Sequence, residues 1–512
     1  MTDLFGGSPE HTQLSDSDVR FLDTTLRDGE QAPGVSLTPD EKVDVATALD
    51  AAGVSFVEAG SACTGRAERA TIRKVTRQNL DATVTSFARG IEADVDHALD
   101  CDVDGVNLVV PASDRHVETK VGSSREAVLE RTSHLVEYAK DHGLWVEVIG
   151  EDGSRADLEF LDQLAAASVD AGADRVCYAD TVGHAGPERT AEVVETLAAH
   201  GPTSAHTHDD LGLGVTNALA AIHAGADLVH ATVNGVGERA GNVALEEVVM
   251  ALSHVYGVET LDKTQLADLG RVVARTTGVR PAPNKAVTGA NAFAHESGIH
   301  TDGTLKDDRM YEPYPPETVG RERRIVLGKH TGRAGARAVL SEHGVEPADE
   351  ELDLVVERVK ELAERGKRVT DADLLAIAED VTDHERDRLV ELLEVTATSG
   401  HNTPSASVRL DVGGEEVVAS GTGSGPVDAA VSAVRSAVSD FDDAHLTSYH
   451  VDAVTGGTNA VVTVEVTMER GSRTVTVAHS DADITRASVS AMVDALDRLL
   501  VDSPDVVVVA DD

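Results

Sequence analysis

Phe21-Leu22-Asp23-Thr24-Thr25-Leu26-Arg27-Asp28 opens on apolar and β-branched residues and closes on two opposite charges. That is the pattern of a short buried strand, Phe21 to Leu26, delivering reactive groups at its C-terminal end. Seven further runs of this kind follow, with amphipathic stretches between them. They are Phe56 to Gly60, Thr83 to Ala88, Gly105 to Pro111, Trp145 to Gly150, Arg175 to Asp180, Thr203 to Asp209 and Leu228 to Gly235. Their starts recur every 22 to 40 residues, the length of a βα unit, and eight such units close an α/β TIM (β/α)8 barrel of about 250 residues. An open doubly wound sheet is the other arrangement compatible with the alternation. One connecting stretch carries its own start and stop signals. Thr38 and Glu41 have capping-box spacing, Pro39 suits the first helical position and Gly53 follows the last turn.

At 512 residues the chain exceeds what one core organises. The barrel is expected over residues 19–277, after a loose polar tail at 1–18. A proline-marked linker region with small helical subdomains is expected over 278–395. Beyond it, at 396–512, an α+β domain is expected in which the order strand, strand, helix occurs twice. Its pieces are Ser407 to Val412, Glu415 to Ser420 and Pro426 to Val438, then Asn459 to Met468, Ser472 to Ala478 and Ile484 to Leu500. Such a repeat suits binding or dimerisation.

Lys and Arg total 44 against 90 Asp and Glu, a net charge of −46, and only about 10 of the basic residues are Lys. Charge of this sign spread along the chain disfavours nucleic-acid binding. It suits a cytoplasm rich in salt, where self-repulsion is screened; solubility alone is the plainer account. No apolar run has membrane-spanning length, and the N-terminus lacks the pattern of a secretory signal. Cys63, Cys101 and Cys177 form no C-x-x-C pair and suggest neither a disulfide framework nor a thiolate zinc site.

In a barrel, reacting groups collect at the C-terminal strand ends. Arg27 and Asp28 end the first strand, Glu151 and Asp152 the fifth, and Asp180 and Thr181 the sixth. His206 and His208 lie in the seventh, and the loop from Gly235 to Asn242 follows the eighth. Residues i and i+2 of a strand face the same side, so both imidazoles aim at one point, where Asp28 adds a carboxylate. Two nitrogens and a carboxylate with open positions suit Mg²⁺, Mn²⁺ or Zn²⁺, a redox-inert site rather than an iron oxygenase centre. Arg27 beside Asp28 reads as an electrophile that polarises a carbonyl. Glu151 is either a solvated loop carboxylate or an acid–base group.

The run Leu22 to Gln31, LDTTLRDGEQ, resembles the signature of metal-dependent acyltransferases and lyases that share a TIM barrel. Asn234 to Asn242, NGVGERAGN, resembles the second signature of the branch comprising 2-isopropylmalate, citramalate and homocitrate synthases. The resemblance continues through Asn284-Lys285 and Ala292 to His300, and into a C-terminal domain like that branch's allosteric dimer domain. It implies that Asp28, His206 and His208 hold the metal with Asn242 beside them, that Arg27 polarises the keto oxygen and that Thr181 contacts the 2-oxo acid carboxylate. It makes Glu151 and His300 the candidates for deprotonating acetyl-CoA, with Tyr311 in support. It also implies a homodimer in which His300 reaches the partner's barrel, and an amino-acid effector, isoleucine or leucine. Lyase relatives carry a cysteine where this chain has Glu238 and Arg239, and the biotinyl acceptor of carboxyltransferase relatives is missing. Gly60-Ser61-Ala62 resembles the archaeal citramalate branch, whose oxo acid is pyruvate. Ile149 departs from both the serine and the tyrosine that relatives place there. 2-Oxoisovalerate, leading to leucine, is the second choice of substrate. A catalytically silent regulatory subunit is the alternative of another class.

Overall fold

The computed structural model describes residue 14 and residues 18–364, 369–382, 388–399, 403–438, 444–453, 462–471 and 473–500. Apart from Leu14 and Asp18, the expected N-terminal tail lies outside them, as do residues 459–461 and 472 of the expected late strands. The chain divides into two units, Met1–Phe293 with Tyr314–Glu322, and Ala294–Pro313 with Arg323–Asp512.

In the first unit eight parallel strands close a barrel in sequence order: β1 (Arg20–Asp23), β2 (Phe56–Ser61), β3 (Thr83–Arg89), β4 (Gly105–Pro111), β5 (Trp145–Glu151), β6 (Arg175–Asp180), β7 (Thr203–Thr207) and β8 (Leu228–Ala231). All eight expected runs are strands, and the open sheet is excluded by the pairing of β1 with β8, Phe21 opposite Val229. Three runs are shorter than expected. β1 stops at Asp23, β7 stops at Thr207 and leaves His208 just beyond it, and β8 stops at Ala231.

Period-two alternation sorts each strand between two environments. Val57, Val106, Val148, Val176 and Val229 pack outward in the large core under the helices. The intervening residues fill the interior in tiers. Leu22, Phe56 and Leu228 plug the N-terminal end with Trp145 against them. Above that plug the side chains are polar and fully buried: Glu58, Thr85, Asn107, Glu147, Ser204 and His230. Helix α1 (Pro39–Ala51) starts at Thr38, whose capping box with Glu41 is made in both directions, and the chain leaves it through Gly53 at φ +88°. Such a cap is worth about 1 kcal/mol.

In the second unit helices Arg333–Glu342, Asp349–Glu364 and Asp371–Val381 bury a small core around Leu340, Val355 and Leu374. The C-terminal part repeats one motif, as expected, but each copy has three strands before its helix. They are Val390–Thr398, Ser405–Val412, Glu415–Thr422 and helix Pro426–Ala437, then His445–Ala453, Val462–Arg470, Arg473–Asp481 and helix Ile484–Leu500. The first of these strands begins before residue 396. Both sheets are antiparallel, and their helices share one core through Ala433, Val434, Val489 and Met492.

Candidate active site

β1 ends where it does because the Asp23 carboxylate accepts hydrogen bonds from Thr25 N at 2.8 Å and Thr25 Oγ1 at 3.0 Å, which folds the chain into a turn. Complete burial pushes the Asp23 carboxyl up to about 7, with the Thr25 bonds acting against it. Thr25 Oγ1 in turn accepts from Val233 N at 3.0 Å, tying this turn to the loop after β8. Arg27 and Asp28 are thereby presented at the barrel mouth, past the strand rather than on it.

Asp28 Oδ2 lies 3.4 Å from His206 Nε2 and 3.9 Å from His208 Nε2, and the two Nε2 atoms are 3.3 Å apart. All three residues are buried. His208 keeps the expected facing by pairing with Asn242 in an isolated bridge beyond β7. Its Nδ1 is 3.2 Å from the Gly241 carbonyl, which fixes the proton there and leaves the Nε2 lone pair toward Asp28. Burial, then the neighbouring His206, depresses His208 to about 4, with Asp28 opposing, so it is neutral at pH 7. For Asp28 burial favours the neutral acid, but Arg27 and the two histidines outweigh it and hold the carboxyl well below the usual range. Asn242 Oδ1 is buried with no hydrogen-bond partner. Lone pairs converging with an orphaned amide oxygen beside them fit a divalent cation. Gly241 makes the approach possible: at φ +91° a Cβ there would stand 2.0 Å from Gly235 O.

Arg27 is gripped from below. Its Nε donates to Glu58 Oε2 at 2.6 Å, its Nη1 to Asp28 Oδ2 at 2.8 Å, and its guanidinium lies over the Phe87 ring at 5.1 Å. Glu58 Oε1 accepts from Asn107 Nδ2 at 2.8 Å. Burial works against the Arg27 charge, yet Glu58 and Asp28 more than restore it, leaving the guanidinium fixed and cationic. The reading of the sequence passed over Glu58 and Asn107. A carboxylate inside the apolar run Phe56-Val57-Glu58-Ala59 was the available signal, because a buried acid needs a cation.

Arg27, Asp28, Glu151, Thr181, His206 and His208 line one cavity of about 290 Å³. Phe87, Val109, Ile149 and Ala179 supply its apolar wall. Thr181 Oγ1 accepts from Asp152 N at 2.9 Å, and Asp180 receives His184 N and Ala185 N at 2.9 and 3.0 Å, so this loop is fixed at both ends. Arg239, at φ +55°, clasps Asp210 through two 2.9 Å bonds and donates to Thr181 O at 2.8 Å. Glu151 is not a free loop carboxylate: Lys120 Nζ lies 2.6 and 2.7 Å from its oxygens, and His116 Nδ1 is 3.2 Å away. Lys120 was also passed over, since nothing in its local sequence marks it. His300 and Tyr311 belong to the second unit, where their rings stack with centroids 4.3 Å apart. Among the described residues no helix is long and apolar enough to cross a membrane.

The chain matches the HMGL-like family over residues 18–273. It matches the homocitrate synthase post-HMGL domain-like family over 287–367 and the LeuA allosteric (dimerisation) domain over 368–500. It is 47% identical to the (R)-citramalate synthase of Methanocaldococcus jannaschii, over 94% of this chain and 99% of that one. Identity reaches 51%, over 94% and 98% respectively, with a protein provisionally given the same name in Methanothermobacter thermautotrophicus. The chain belongs to the citramalate synthase family. Among solved structures, an HMG-CoA lyase of Brucella melitensis superposes with a TM-score of 0.47 at 20% identity, over 51% of this chain and 100% of that one. Membership of the citramalate synthase family agrees with the two signatures, Leu22 to Gln31 and Asn234 to Asn242; Thr25 in the first accepts from the N–H of Val233, the residue just before the second.

Proposed function

We propose that the protein is an acyltransferase that condenses acetyl-CoA with pyruvate to give (R)-citramalate, a step toward isoleucine. The observation that carries this reading is the identity of about half with citramalate synthases along nearly the whole chain. The cavity supports it, since one polar rim of Arg27, Asp28, His206 and His208 faces an apolar wall of Phe87, Val109, Ile149 and Ala179. Asp28, His206 and His208, with Asn242 beside them, hold a divalent cation, Mg²⁺, Mn²⁺ or Zn²⁺. When bound, it supplies a Lewis acid for the keto oxygen. Arg27, fixed by Glu58, points a cation at the same oxygen, where charge develops as the new carbon–carbon bond forms. Thr181 orients the oxo acid carboxylate. Glu151 takes a methyl proton from the acetyl group, and attack of the resulting enolate on the keto carbon is followed by hydrolysis of the thioester. His300 and Tyr311 act from a second copy of the chain, in a homodimer joined through the C-terminal domain.

Thiol release from acetyl-CoA tests this reading. Turnover should be faster with pyruvate than with 2-oxoisovalerate or 2-oxoglutarate, and should vanish after exhaustive chelation and return with added divalent cation. Full turnover in the chelated protein would remove the metal. Ile149 supplies the finer test, since it stands in the apolar wall. Ile149→Ala should raise kcat/KM for 2-oxoisovalerate relative to pyruvate by roughly 10- to 100-fold, the worth of the side-chain volume removed.

Isoleucine or leucine is the proposed effector of the C-terminal domain. The acidic, Lys-poor composition suits a salt-rich cytoplasm.

A further inference from the structure

We propose that Lys120 is a catalytic residue, whose ammonium donates a hydrogen bond to the thioester oxygen of the acyl donor as that oxygen becomes an enolate. The inference rests on Glu151 being the base. Lys120 Nζ touches both Glu151 oxygens, at 2.6 and 2.7 Å, and both side chains line the cavity that holds Arg27 and Asp28. The methyl carbon of an acetyl group and its carbonyl oxygen are two bonds apart, about 2.4 Å. A base working on that carbon approaches to about 3 Å. A cation already in contact with the base therefore lies within reach of the oxygen that acquires the charge.

The two guanidinium groups of the cavity are committed. Arg27 is held by Glu58 and Asp28, and Arg239 by Asp210 and the Thr181 carbonyl. Lys120 has three N–H donors, and among the described residues only Glu151 receives them. Its side chain is 55% exposed, so it can turn from the carboxylate toward a substrate oxygen. The segment Arg115–Lys120 is a wide π-helical turn, an irregularity often found at functional positions.

The electron count closes without another reactant. Glu151 takes one methyl proton, the C–H pair becomes the carbon–carbon double bond of the enolate, and the carbonyl π pair moves onto the oxygen beside Lys120. Lys120 keeps its proton throughout. In the attack the oxygen pair re-forms the carbonyl, the carbon–carbon π pair becomes the new bond to the keto carbon, and the keto π pair moves to the oxygen beside Arg27.

Deuterium uptake into the acetyl-CoA methyl group in D₂O, in the presence of oxamate, a pyruvate-shaped amide that is not condensed, reads enolate formation without turnover. In the cation-supplied enzyme, Lys120→Met should slow uptake by about 10²–10³-fold, the usual loss for one donor to a developing oxyanion, with KM for pyruvate unchanged. Lys120→Arg should recover much of it. Uptake by Lys120→Met at the parental rate would overturn the proposal, as would a rise in KM for pyruvate with uptake intact. Glu151→Gln is the separate control: parental uptake there would remove Glu151 as the base, whereas loss in both variants supports both assignments.

Discussion

Asp28→Asn is expected to lower thiol release by about 10³-fold or more with little change in the unfolding midpoint. Asp28 is the single anion of the cluster with His206 and His208, and its Oδ2 also receives Arg27 Nη1 at 2.8 Å. A carboxamide of the same shape keeps the packing but not the charge that a divalent ion needs, and Lewis-acid stabilisation of this kind is worth several kcal/mol. Folding should survive, because the barrel core lies below the mouth, the carboxamide oxygen still accepts from Arg27 Nη1, and the guanidinium keeps Glu58 as its anion. Initial rates and thermal melts monitored by circular dichroism decide the matter. A parental rate would take Asp28 out of the chemistry, and a collapsed melt would make it a structural ion pair.

Glu58→Ala should lower stability by about 3–5 kcal/mol, the cost of leaving a buried charge without its partner. Glu58 is 1% exposed and holds Arg27 on one oxygen, through Nε, and Asn107 on the other. Without it the guanidinium retains Asp28 as its one anion and the Phe87 ring, and loses the grip on Nε that aims it, so kcat should fall together with stability. Glu58→Gln, which keeps an acceptor for Arg27, should lose clearly less of both. Denaturant titrations of the two variants separate the effects, and equal stability in all three proteins would make the pair an ornament.

The barrel was legible because a parallel sheet covered on both faces reads as apolar runs spaced by amphipathic helices, and Val106, Leu108 and Val110 carry that signal openly. Strand ends were less legible. Leu26 continues the apolar run, yet the chain turns at Asp23, since a side-chain-to-backbone bond overrides the hydrophobic pattern. The strand Val390–Thr398 went unseen because only Val390 in it is fully buried, so glutamates interrupt it without a clean alternation. The cluster of Asp28, His206 and His208 was visible through position at strand ends. Glu58 was marked only as a carboxylate in an apolar run, and Asn107 and Lys120 not at all, because their importance lies in which distant side chain they meet.

The same closure sets an order of events in the making of the molecule. Asp28 follows the first strand, His206 and His208 the seventh, and Asn242 the loop after the eighth, so the cluster joins chain positions some 200 residues apart. Such non-local contacts form late in folding. A nascent chain emerging from the ribosome at about 5–20 residues per second carries Asp28 as an isolated acid until Asn242 is out and the last strand has paired with the first. Under the proposed function, cation uptake would therefore be a timestamp for ring closure, and a chain stalled before residue 242 would be told from a finished barrel by its failure to retain the ion.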